Sequence, residues 1–395
     1  MDTPTLCSPL ADHPHAAGYE RDGLHEFVEE PLYQRLCRLT ARHPAALALH
    51  DALPPGPLRP TLWLAALHER VLAGGPARPD ALAHWFASVG APRAVDDPAL
   101  PAAFDAFVAR HAEVLRQHLA RRGTQTNEVG RGAVLRPALA EIARLSGPSS
   151  GRPRLALFDF GASAGLNLNV AHYRAVYQFD DGSADLAVGP AGEATPTLPC
   201  RVHGPLPEQL LNPEAWTLAA TLGCDLQPVD LRDPQARRWL LACLWPRDAE
   251  RAERLRRAMA LAETHAPTVR AHADGLSLLA DWLDQLPPDV TPVLWHSWVL
   301  AYFSPGPLAD FRRRAEALVR ERGLWWLSAE DGPRTQALTG LTPPADPVPG
   351  EARADPAQHT FWVLSGPDAR SADGIGRRLL ARTHPHGRWL AWMGN

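Results

Sequence analysis

The chain has 395 residues, a length that fits one large domain with an appendage or two domains. With 45% hydrophobic and 21% charged residues it has an ordinary globular composition, and a net charge of -4 gives no reason to expect nucleic acid or an acidic membrane as a partner. Five scattered cysteines without a CxxC pair indicate neither a disulfide framework nor a zinc site, so no metal is expected.

Helical periodicity without a clear strand pattern runs from residue 18 to about residue 146. Apolar residues recur three and four positions apart in four segments that proline and glycine clusters separate. These segments are 24–41, 61–72, 81–89 and 102–120. The first contains Pro31, which can interrupt a helix. We predict a helical N-terminal domain over residues 1–123.

From residue 124 onwards, short apolar runs rich in branched or aromatic side chains alternate with helical stretches, as in βαβ units. Strands are predicted at 155–160, 221–226, 268–271, 292–296, 324–328, 361–364 and 389–393. Helices are predicted at 234–241, 248–263, 276–286 and 307–321. This alternation predicts an α/β domain over 124–395, with a Rossmann-like, mainly parallel sheet and a C-terminal antiparallel hairpin formed by the last two strands.

An insertion of about sixty residues separates the first two of these strands, more than a crossover usually needs. Within it, the runs HYRAVYQF and ADLAV flank a turn at Asp180, Asp181 and Gly182, which predicts a hairpin. We expect residues 170–215 to form a lid over a ligand. Tyr173 and Tyr177 are candidate substrate contacts on this lid, and cross-strand packing is the structural alternative for both.

A glycine-rich turn follows the first predicted strand in the run LALFDFGASAGLNLN. Gly161 and Gly165 allow the backbone to turn sharply against a ligand. Backbone N–H groups at the start of the next helix would favour an anion, and Asp159 offers a counterpart for an ammonium or hydroxyl group. The turn therefore suits a nucleotide that carries an amino-acid moiety.

This layout resembles the first motif of class I S-adenosylmethionine-dependent methyltransferases, in which alternating glycines follow an acidic residue. The matching residues are Asp159, Gly161, Ser163 and Gly165. Ser163 departs from the motif because it replaces the middle glycine. The resemblance implies a methyltransferase-like fold with S-adenosylmethionine as its cofactor.

The same resemblance implies two further acidic residues at the cofactor. One follows the second strand and meets the ribose, and either Asp225 or Asp230 occupies that position. The other follows the third strand and lies beside the adenine, where the run RAHADG supplies Asp274.

Four segments together resemble an uncharacterised bacterial family, domain of unknown function 2332. They are TQTNEVGRGAVLRPAL, FGASAGLNLN, GCDLQPVD with a downstream WP, and WHSWVLAYF. The resemblance covers roughly residue 24 to the end of the chain. It implies a methyltransferase-like core and names no substrate.

The polar segment TQTNEVGR, residues 124–131, precedes the helix that leads into the first strand. Thr126 or Asn127 can cap that helix, with Glu128 in its first turn. The functional alternative places Asn127, Glu128 and Arg131 at the cofactor, with Arg131 binding a carboxylate through two hydrogen bonds. The family resemblance favours this second interpretation.

The fourth predicted strand, in WHSWVLAYF, carries His296 and Ser297 at its carboxyl end, where α/β sheets bind ligands. His296 is the candidate general base, and Ser297 is a candidate substrate contact or a helix cap. The structural alternative for His296 is a hydrogen-bonded histidine within a shell formed by Trp295, Trp298 and Tyr302. Farther along the chain, the run HPH at 384–386 is too short to indicate a metal site.

The glycine turn also reads G-x-S-x-G, the nucleophile elbow of α/β-hydrolases, with Ser163 as the nucleophile. An elbow normally follows several strands and an oxyanion loop, whereas the preceding residues are predicted to be helical. Spacing singles out no downstream acid and histidine for a triad. The competing histidines are His296, His359, His384 and His386.

The N-terminal residues lack the basic start and apolar run of a signal peptide, and no stretch stays apolar for the ~18 residues of a membrane span. We therefore expect a cytoplasmic S-adenosylmethionine-dependent methyltransferase that acts on a small molecule. Two alternatives stay open: a non-catalytic nucleotide-binding protein of the same fold, and a hydrolase that uses Ser163. The sequence specifies neither the methyl acceptor nor the oligomeric state.

Overall fold

The computed structural model describes residues 13–27, 29–51, 59–75, 80–147, 151–346, 348 and 359–394. The chain divides into two compact units, Met1–Thr126 with Arg232–Glu253, and Asn127–Leu231 with Arg254–Asn395. Residues 1–12 and Val28, which belong to the predicted N-terminal domain, lie outside the described residues. Residues 232–253, which we predicted in the α/β domain, belong to the first unit.

The helices and strands are numbered along the whole chain. The α-helices of the described residues are α1 (Ala16–His25), α2 (Pro31–Thr40), α3 (Pro44–Asp51), α4 (Pro60–Gly74), α5 (Leu100–Arg121), α6 (Gly132–Leu145), α7 (Pro234–Ala242), α8 (Ala249–Thr264), α9 (Gly275–Leu283), α10 (Pro305–Arg322) and α11 (Gly332–Thr339). The strands are β1 (Arg154–Phe160), β2 (Arg174–Phe179), β3 (Leu186–Val188), β4 (Thr197–His203), β5 (Thr217–Asp225), β6 (Val269–Ala271), β7 (Thr291–Ser297), β8 (Trp325–Glu330), β9 (Thr360–Pro367), β10 (Ile375–Thr383) and β11 (Trp389–Trp392).

The regular elements described in the first unit are all helical. Pro31 is the first residue of α2, where its missing N–H group costs no intrahelical hydrogen bond. The single helix predicted over 24–41 is therefore two helices. The apolar faces of the helices of the first unit meet in a core that includes the buried side chains of Trp63, Phe104 and Trp239. No helix in the described part of the chain has both the length and the apolar character needed to cross a membrane.

The second unit is mixed α/β and contains a large, mostly parallel sheet. Its described strands lie in the order β3-β2-β4-β11-β10-β9-β8-β7-β1-β5-β6. Within it, β6, β5, β1, β7 and β8 all run in one direction. Their positions along the sheet are 3-2-1-4-5 when these five strands are numbered along the chain. A second core, which includes Leu279, Phe311 and Trp326, packs against this part of the sheet.

The strand order creates a switch point between β1 and β7. The chain leaves β1 towards β5 and β6 and later returns to the opposite side of β1 to form β7 and β8. The loops that follow β1 and β7 therefore diverge at the carboxyl ends of these strands, which is where open α/β sheets bind ligands.

The predicted C-terminal hairpin is wrong in one respect, because β10 lies between its two strands. β9 pairs antiparallel with β10, and β10 pairs antiparallel with β11. The sequence of β10, IGRRLLART, places arginines within the apolar run and obscures the strand pattern.

The predicted lid over 170–215 is instead an extension of the sheet. The expected hairpin is present, since β2 pairs antiparallel with β3. However, β2 also pairs with β4, and β4 pairs with β11, so these strands join the far side of the main sheet. Tyr173 and Tyr177 are fully buried there, and a substrate contact is not available to them in this structure.

Helix α6 is buried on every side, from Gly132 to Ala143, in keeping with its apolar sequence. Pro137 lies inside this helix and has no N–H group for the carbonyl of Ala133, four residues earlier. The hydroxyl group of Tyr177 donates to that carbonyl at 2.8 Å. Tyr177 therefore supplies from β2 the hydrogen bond that Pro137 removes from the helix.

We expect Tyr177→Phe to lower the free energy of unfolding by about 1–3 kcal/mol, because it leaves the carbonyl of Ala133 buried without a donor. Pro137→Ala restores a backbone donor, so Tyr177→Phe in that background should cost markedly less. Urea denaturation of the two single variants and the double variant measures this coupling.

Tyr33→Phe is the matched control, since the hydroxyl group of Tyr33 is buried without a hydrogen-bond partner. Its removal should leave the stability unchanged or raise it slightly. Additive effects of the substitutions at Tyr177 and Pro137 would show that the hydroxyl group does not replace the missing helical donor.

Candidate functional site

The glycine turn after β1 adopts a left-handed backbone at three positions. The φ angles are +81° at Gly161, +53° at Ser163 and +73° at Gly165. A Cβ atom on Gly161 would lie 2.5 Å from Cγ2 of Val299, which follows β7. Glycine is therefore required at position 161 by its backbone angle and by its contact with the segment after β7.

Protein groups already accept hydrogen bonds from the N–H groups of this turn. Gly161 and Ala162 donate to the carbonyl of Cys224, at 2.8 and 3.0 Å. Ser163 donates to Oδ2 of Asp225 at 2.8 Å, and Leu166 donates to Oδ1 of Asn127 at 3.0 Å. These four N–H groups therefore have protein acceptors in this structure, and anion binding by the turn stays a prediction.

Asn127 clamps the turn from the segment before α6. Its Nδ2 donates to the carbonyl of Ala162 at 2.9 Å while its Oδ1 accepts from Leu166. The side chain is 6% exposed, so both hydrogen bonds are shielded from water. The polar segment 124–131 therefore does reach the glycine turn, and Asn127 holds it by contacts on both sides.

Glu128 and Arg131 lie beside this clamp and have different tasks. Glu128 accepts from the N–H group of Gly130 at 3.0 Å and so caps a short 3₁₀ helix, Val129–Arg131. Arg131 donates through Nε to the carbonyl of Pro385 at 2.8 Å and through Nη1 to the carbonyl of Ser297 at 3.5 Å. In this structure Arg131 therefore links the end of β7 with the turn after β10, in place of the two hydrogen bonds to a carboxylate that the sequence predicted.

Two carboxyl groups share the carboxyl ends of β1 and β5. Asp159 is 3% exposed, and no hydrogen bond to its carboxyl group is found among the described residues. Burial, followed by the negative charge of Asp225, raises the pKa of Asp159 to about 8, and the charge of Arg131 only partly opposes this. Of the two candidates after the second parallel strand, Asp225 contacts the turn, whereas Asp230 is exposed.

Asp274 caps the start of α9 rather than facing the turn. Its carboxylate accepts from the N–H and hydroxyl groups of Ser277 at 3.1 and 2.7 Å and pairs with Arg314 at 2.9 Å. Burial would raise its pKa, but the hydrogen bonds from Ser277 and Arg314 outweigh this effect and lower the pKa to about 2. The adenine contact predicted for this side chain stays a prediction.

His296 is fully buried, and both of its ring nitrogens are engaged. Nδ1 lies 2.8 Å from Oε1 of Glu330, and Nε2 accepts from the indole N–H of Trp326 at 2.9 Å. Phe311 packs edge-on against the ring. His296 is thus a buried, hydrogen-bonded histidine whose aromatic neighbours are Phe311 and Trp326, instead of the predicted Trp295, Trp298 and Tyr302. Its role as general base stays a prediction.

The segment after β7 is strained next to the switch point. Trp298 has a φ of +59°, a conformation that costs a bulky residue of order 1–3 kcal/mol. Its indole N–H donates to the hydroxyl group of Thr360 at 2.7 Å, which holds the side chain in place. Ser297 precedes it and has a buried hydroxyl group without a hydrogen-bond partner. Strained residues thus follow both β1 and β7.

Ser163 shares the positive φ angle of a nucleophile elbow but has no hydrogen bond to a histidine of the described residues. Its hydroxyl oxygen is buried and has no hydrogen-bond partner. No histidine of the described residues activates it, and a 3₁₀ helix, Leu166–His172, follows the turn instead of an α-helix. The hydrolase triad is therefore not assembled in this structure.

A groove of about 650 Å³ lies between α10 and α11. Its lining includes Phe303, Leu308, Arg312, Pro333 and Arg334. None of the predicted cofactor residues lines this groove.

Residues 19–392 match the family model described as "Uncharacterized protein conserved in bacteria (DUF2332)". The chain belongs to this family. The match spans nearly the whole chain, so the predicted family membership is confirmed, and it assigns a family rather than a reaction. No curated protein and no solved structure matches the chain.

Sequence reasoning missed three features of this family member's candidate site. They are the strained Trp298, the exposed side chain of Leu226 directly after Asp225, and the turn 384–387 that Arg131 contacts. Gly130 and Gly387, whose backbones lie against each other, were the sequence signal available for the turn 384–387. A positive φ at a tryptophan has no signature in a single sequence.

Asp159→Asn tests the electrostatics of the carboxyl pair. The folded chain keeps a proton on Asp159 up to about pH 8, whereas the unfolded chain releases it near the ordinary pKa of 3.8. The stability linked to this proton is fully present below pH of about 3.8 and is lost as the pH rises to about 8. We expect the variant to gain stability over the wild type across this range, by at most ~1.4 kcal/mol per pH unit in urea denaturation.

Asp225→Asn is the companion variant, because it removes the neighbouring negative charge and so lowers the pKa of Asp159. In this background the gain from Asp159→Asn should level off at a lower pH. A stability difference that is the same at every pH would contradict a buried and electrostatically repelled Asp159.

Asn127→Ala removes both hydrogen bonds of the clamp. We expect the free energy of unfolding to fall by roughly 2–5 kcal/mol, since the carbonyl of Ala162 and the N–H group of Leu166 lose buried partners. Asn212→Ala is the control, because the exposed side chain of Asn212 accepts only from the N–H group of Glu214. Similar small losses in the two variants, measured by thermal or urea denaturation, would refute the clamp.

Proposed function

We propose that this protein is an S-adenosylmethionine-dependent methyltransferase that acts on a small molecule at the carboxyl ends of β1, β5 and β7. The observation that carries the proposal is the pair of carboxyl groups of Asp159 and Asp225 at this edge. The carboxyl group of Asp159 is buried, and the charge of Arg131 compensates its ionised form only in part. A ligand with an ammonium or sulfonium group would relieve the repulsion between the two side chains.

The order of the parallel strands supports a nucleotide ligand. The arrangement 3-2-1-4-5 is shared with Rossmann-type sheets, which bind nucleotides at the switch point. Asp159 lies near the carboxyl end of the central strand β1, and the glycine turn follows this strand, on one side of that point. The resemblance to class I methyltransferases rests on these same residues.

The end of β5 offers a contact for a flat, apolar ring. Leu226 follows Asp225 and is 74% exposed, the highest value among the large apolar side chains described as exposed. A nucleobase that covered this side chain would remove apolar surface from water, which is favourable by ~25 cal/mol per Å². Asp225 would then lie next to the ribose hydroxyl groups.

The proposal places the ligand on side chains, because the N–H groups of the turn at 161–163, 165 and 166 already have protein acceptors. Asp159 would pair with the positive charge, and Asp225 would accept from hydroxyl groups while it keeps the N–H group of Ser163. The cofactor, when bound, supplies an electrophilic methyl group. Transfer of a methyl group depends chiefly on alignment, so the site needs few reactive side chains.

Isothermal titration calorimetry with S-adenosylmethionine and S-adenosylhomocysteine tests this function. We expect micromolar binding of both ligands and a rise in affinity for S-adenosylmethionine as the pH approaches about 8, since a cation favours the ionised form of Asp159. Asp159→Asn should abolish this pH dependence. Leu226→Ser should weaken binding about tenfold, the equivalent of ~1.4 kcal/mol, without a change in stability.

Leu186→Ser is the matched control, because Leu186 is 37% exposed on β3, at the opposite end of the sheet from β5. It should bind both ligands like the wild type. The absence of heat for either ligand, together with labelling of Ser163 by a fluorophosphonate, would replace the proposal with the hydrolase. Binding of both ligands without methyl transfer to any acceptor from a cell extract would favour a nucleotide sensor.

A further inference from the structure

The run HPH at 384–386 lies at the same edge of the sheet as the proposed cofactor site. Both β8 and β10 pair antiparallel with β9, so β10 runs in the same direction as β8. The carboxyl end of β10, at Thr383, therefore lies at the edge where β1, β7 and β8 end. The turn 384–387 follows directly.

This turn reaches across the sheet towards the switch point. Three strand spacings of ~4.8 Å, about 14 Å in all, separate β10 from β7. A single guanidinium group, that of Arg131, nevertheless donates to the carbonyl of Pro385 and to that of Ser297 at the end of β7. The turn must therefore lean over the ends of β8 and β9.

Backbone contacts fix the turn in this position. A Cβ atom on Gly387 would lie 2.2 Å from the carbonyl oxygen of Gly130, and one on Gly130 would lie 2.3 Å from that of His386. The N–H group of His386 donates to Nδ1 of His384 at 2.9 Å. The two imidazole rings, with centroids 5.1 Å apart, are thus preorganised before any ligand arrives.

These two rings differ from His296 in their access to a ligand. His296 is fully buried, whereas His384 and His386 are partly exposed at the carboxyl edge. An imidazole can donate and accept hydrogen bonds, so it suits a hydroxyl, amine or thiol group. Arg131 links the turn to the site through its charge, which also acts on Asp159.

We propose that the turn 384–387 forms the acceptor side of the site, where His384 and His386 contact a small molecule that bears a hydroxyl, amine or thiol group. The inference rests on the proposed function. It gives the HPH run a role in contacting the acceptor, instead of a role as metal ligands or as part of a hydrolase triad.

Photo-crosslinking tests the inference with a sulfonium analogue of S-adenosylmethionine in which a short diazirine-bearing alkyl group replaces the methyl group. The alkyl group points from the sulfur towards the acceptor, so we expect crosslinks in the peptide that contains residues 384–387. An excess of S-adenosylhomocysteine should suppress them. Carbethoxylation by diethyl pyrocarbonate should in parallel slow at least about threefold at His384 and His386 when the analogue is bound, with the exposed His84 unaffected.

The outcomes separate the inference from the function beneath it. If calorimetry shows that neither the analogue nor S-adenosylhomocysteine binds, the proposed function fails and the inference fails with it. If both bind but the crosslinks fall only elsewhere and the two histidines stay unprotected, the inference alone is overturned.

Discussion

The α/β unit depends on one buried polar segment, which ties the ends of separated strands together. Asn127 holds both sides of the glycine turn after β1, and Arg131 joins the end of β7 to the turn after β10. These side chains are 6% and 8% exposed, so their hydrogen bonds form where water does not compete. Without them, the loops at the carboxyl edge would have little to fix their mutual positions.

The same segment runs into α6, the helix that the unit surrounds. A helix buried on all sides needs every backbone group paired, and Pro137 leaves the carbonyl of Ala133 without a helical donor. The hydroxyl group of Tyr177 on β2 donates to this carbonyl instead. The added strands β2 and β4 thus complete the packing of α6 as well as widening the sheet. Tyr177, which the sequence suggested as a substrate contact, is explained by this backbone requirement, whereas the hydroxyl group of Tyr173 donates to the carbonyl of Leu166.

The carboxyl edge of the sheet carries two neighbouring carboxyl groups, those of Asp159 and Asp225. Burial and the negative charge of Asp225 keep a proton on Asp159 up to about pH 8, and the charge of Arg131 opposes this only in part. His296 and Glu330, in contrast, form a hydrogen bond that lies wholly in the core. The first arrangement leaves a repulsion that the described residues cancel only in part, whereas in the second both ring nitrogens of His296 have protein partners.

The sequence predicted the elements well wherever the hydrophobic period was uninterrupted. The parallel strands β1, β6, β7 and β8 lie within a few residues of their predicted positions, because short apolar runs between glycines and prolines have few alternatives. Strand β10 was missed since its arginines break the period, and one helix was predicted where Pro31 begins a second. Asn127 and Arg131 were named as site residues from the polar run TQTNEVGR and the family resemblance, and Asp159 from its place before the glycine turn.

By itself, the sequence determined the family, the α/β character of the second unit and the turn at Gly161 to Gly165, because local patterns and motifs record them. Only the tertiary structure decided which groups meet at the turn. Hydrogen bonds between distant residues, such as those of Asn127 with Ala162 and Leu166, leave no periodic trace. The burial of His296 and the approach of the 384–387 turn are likewise consequences of strand order, which a single chain's composition does not encode.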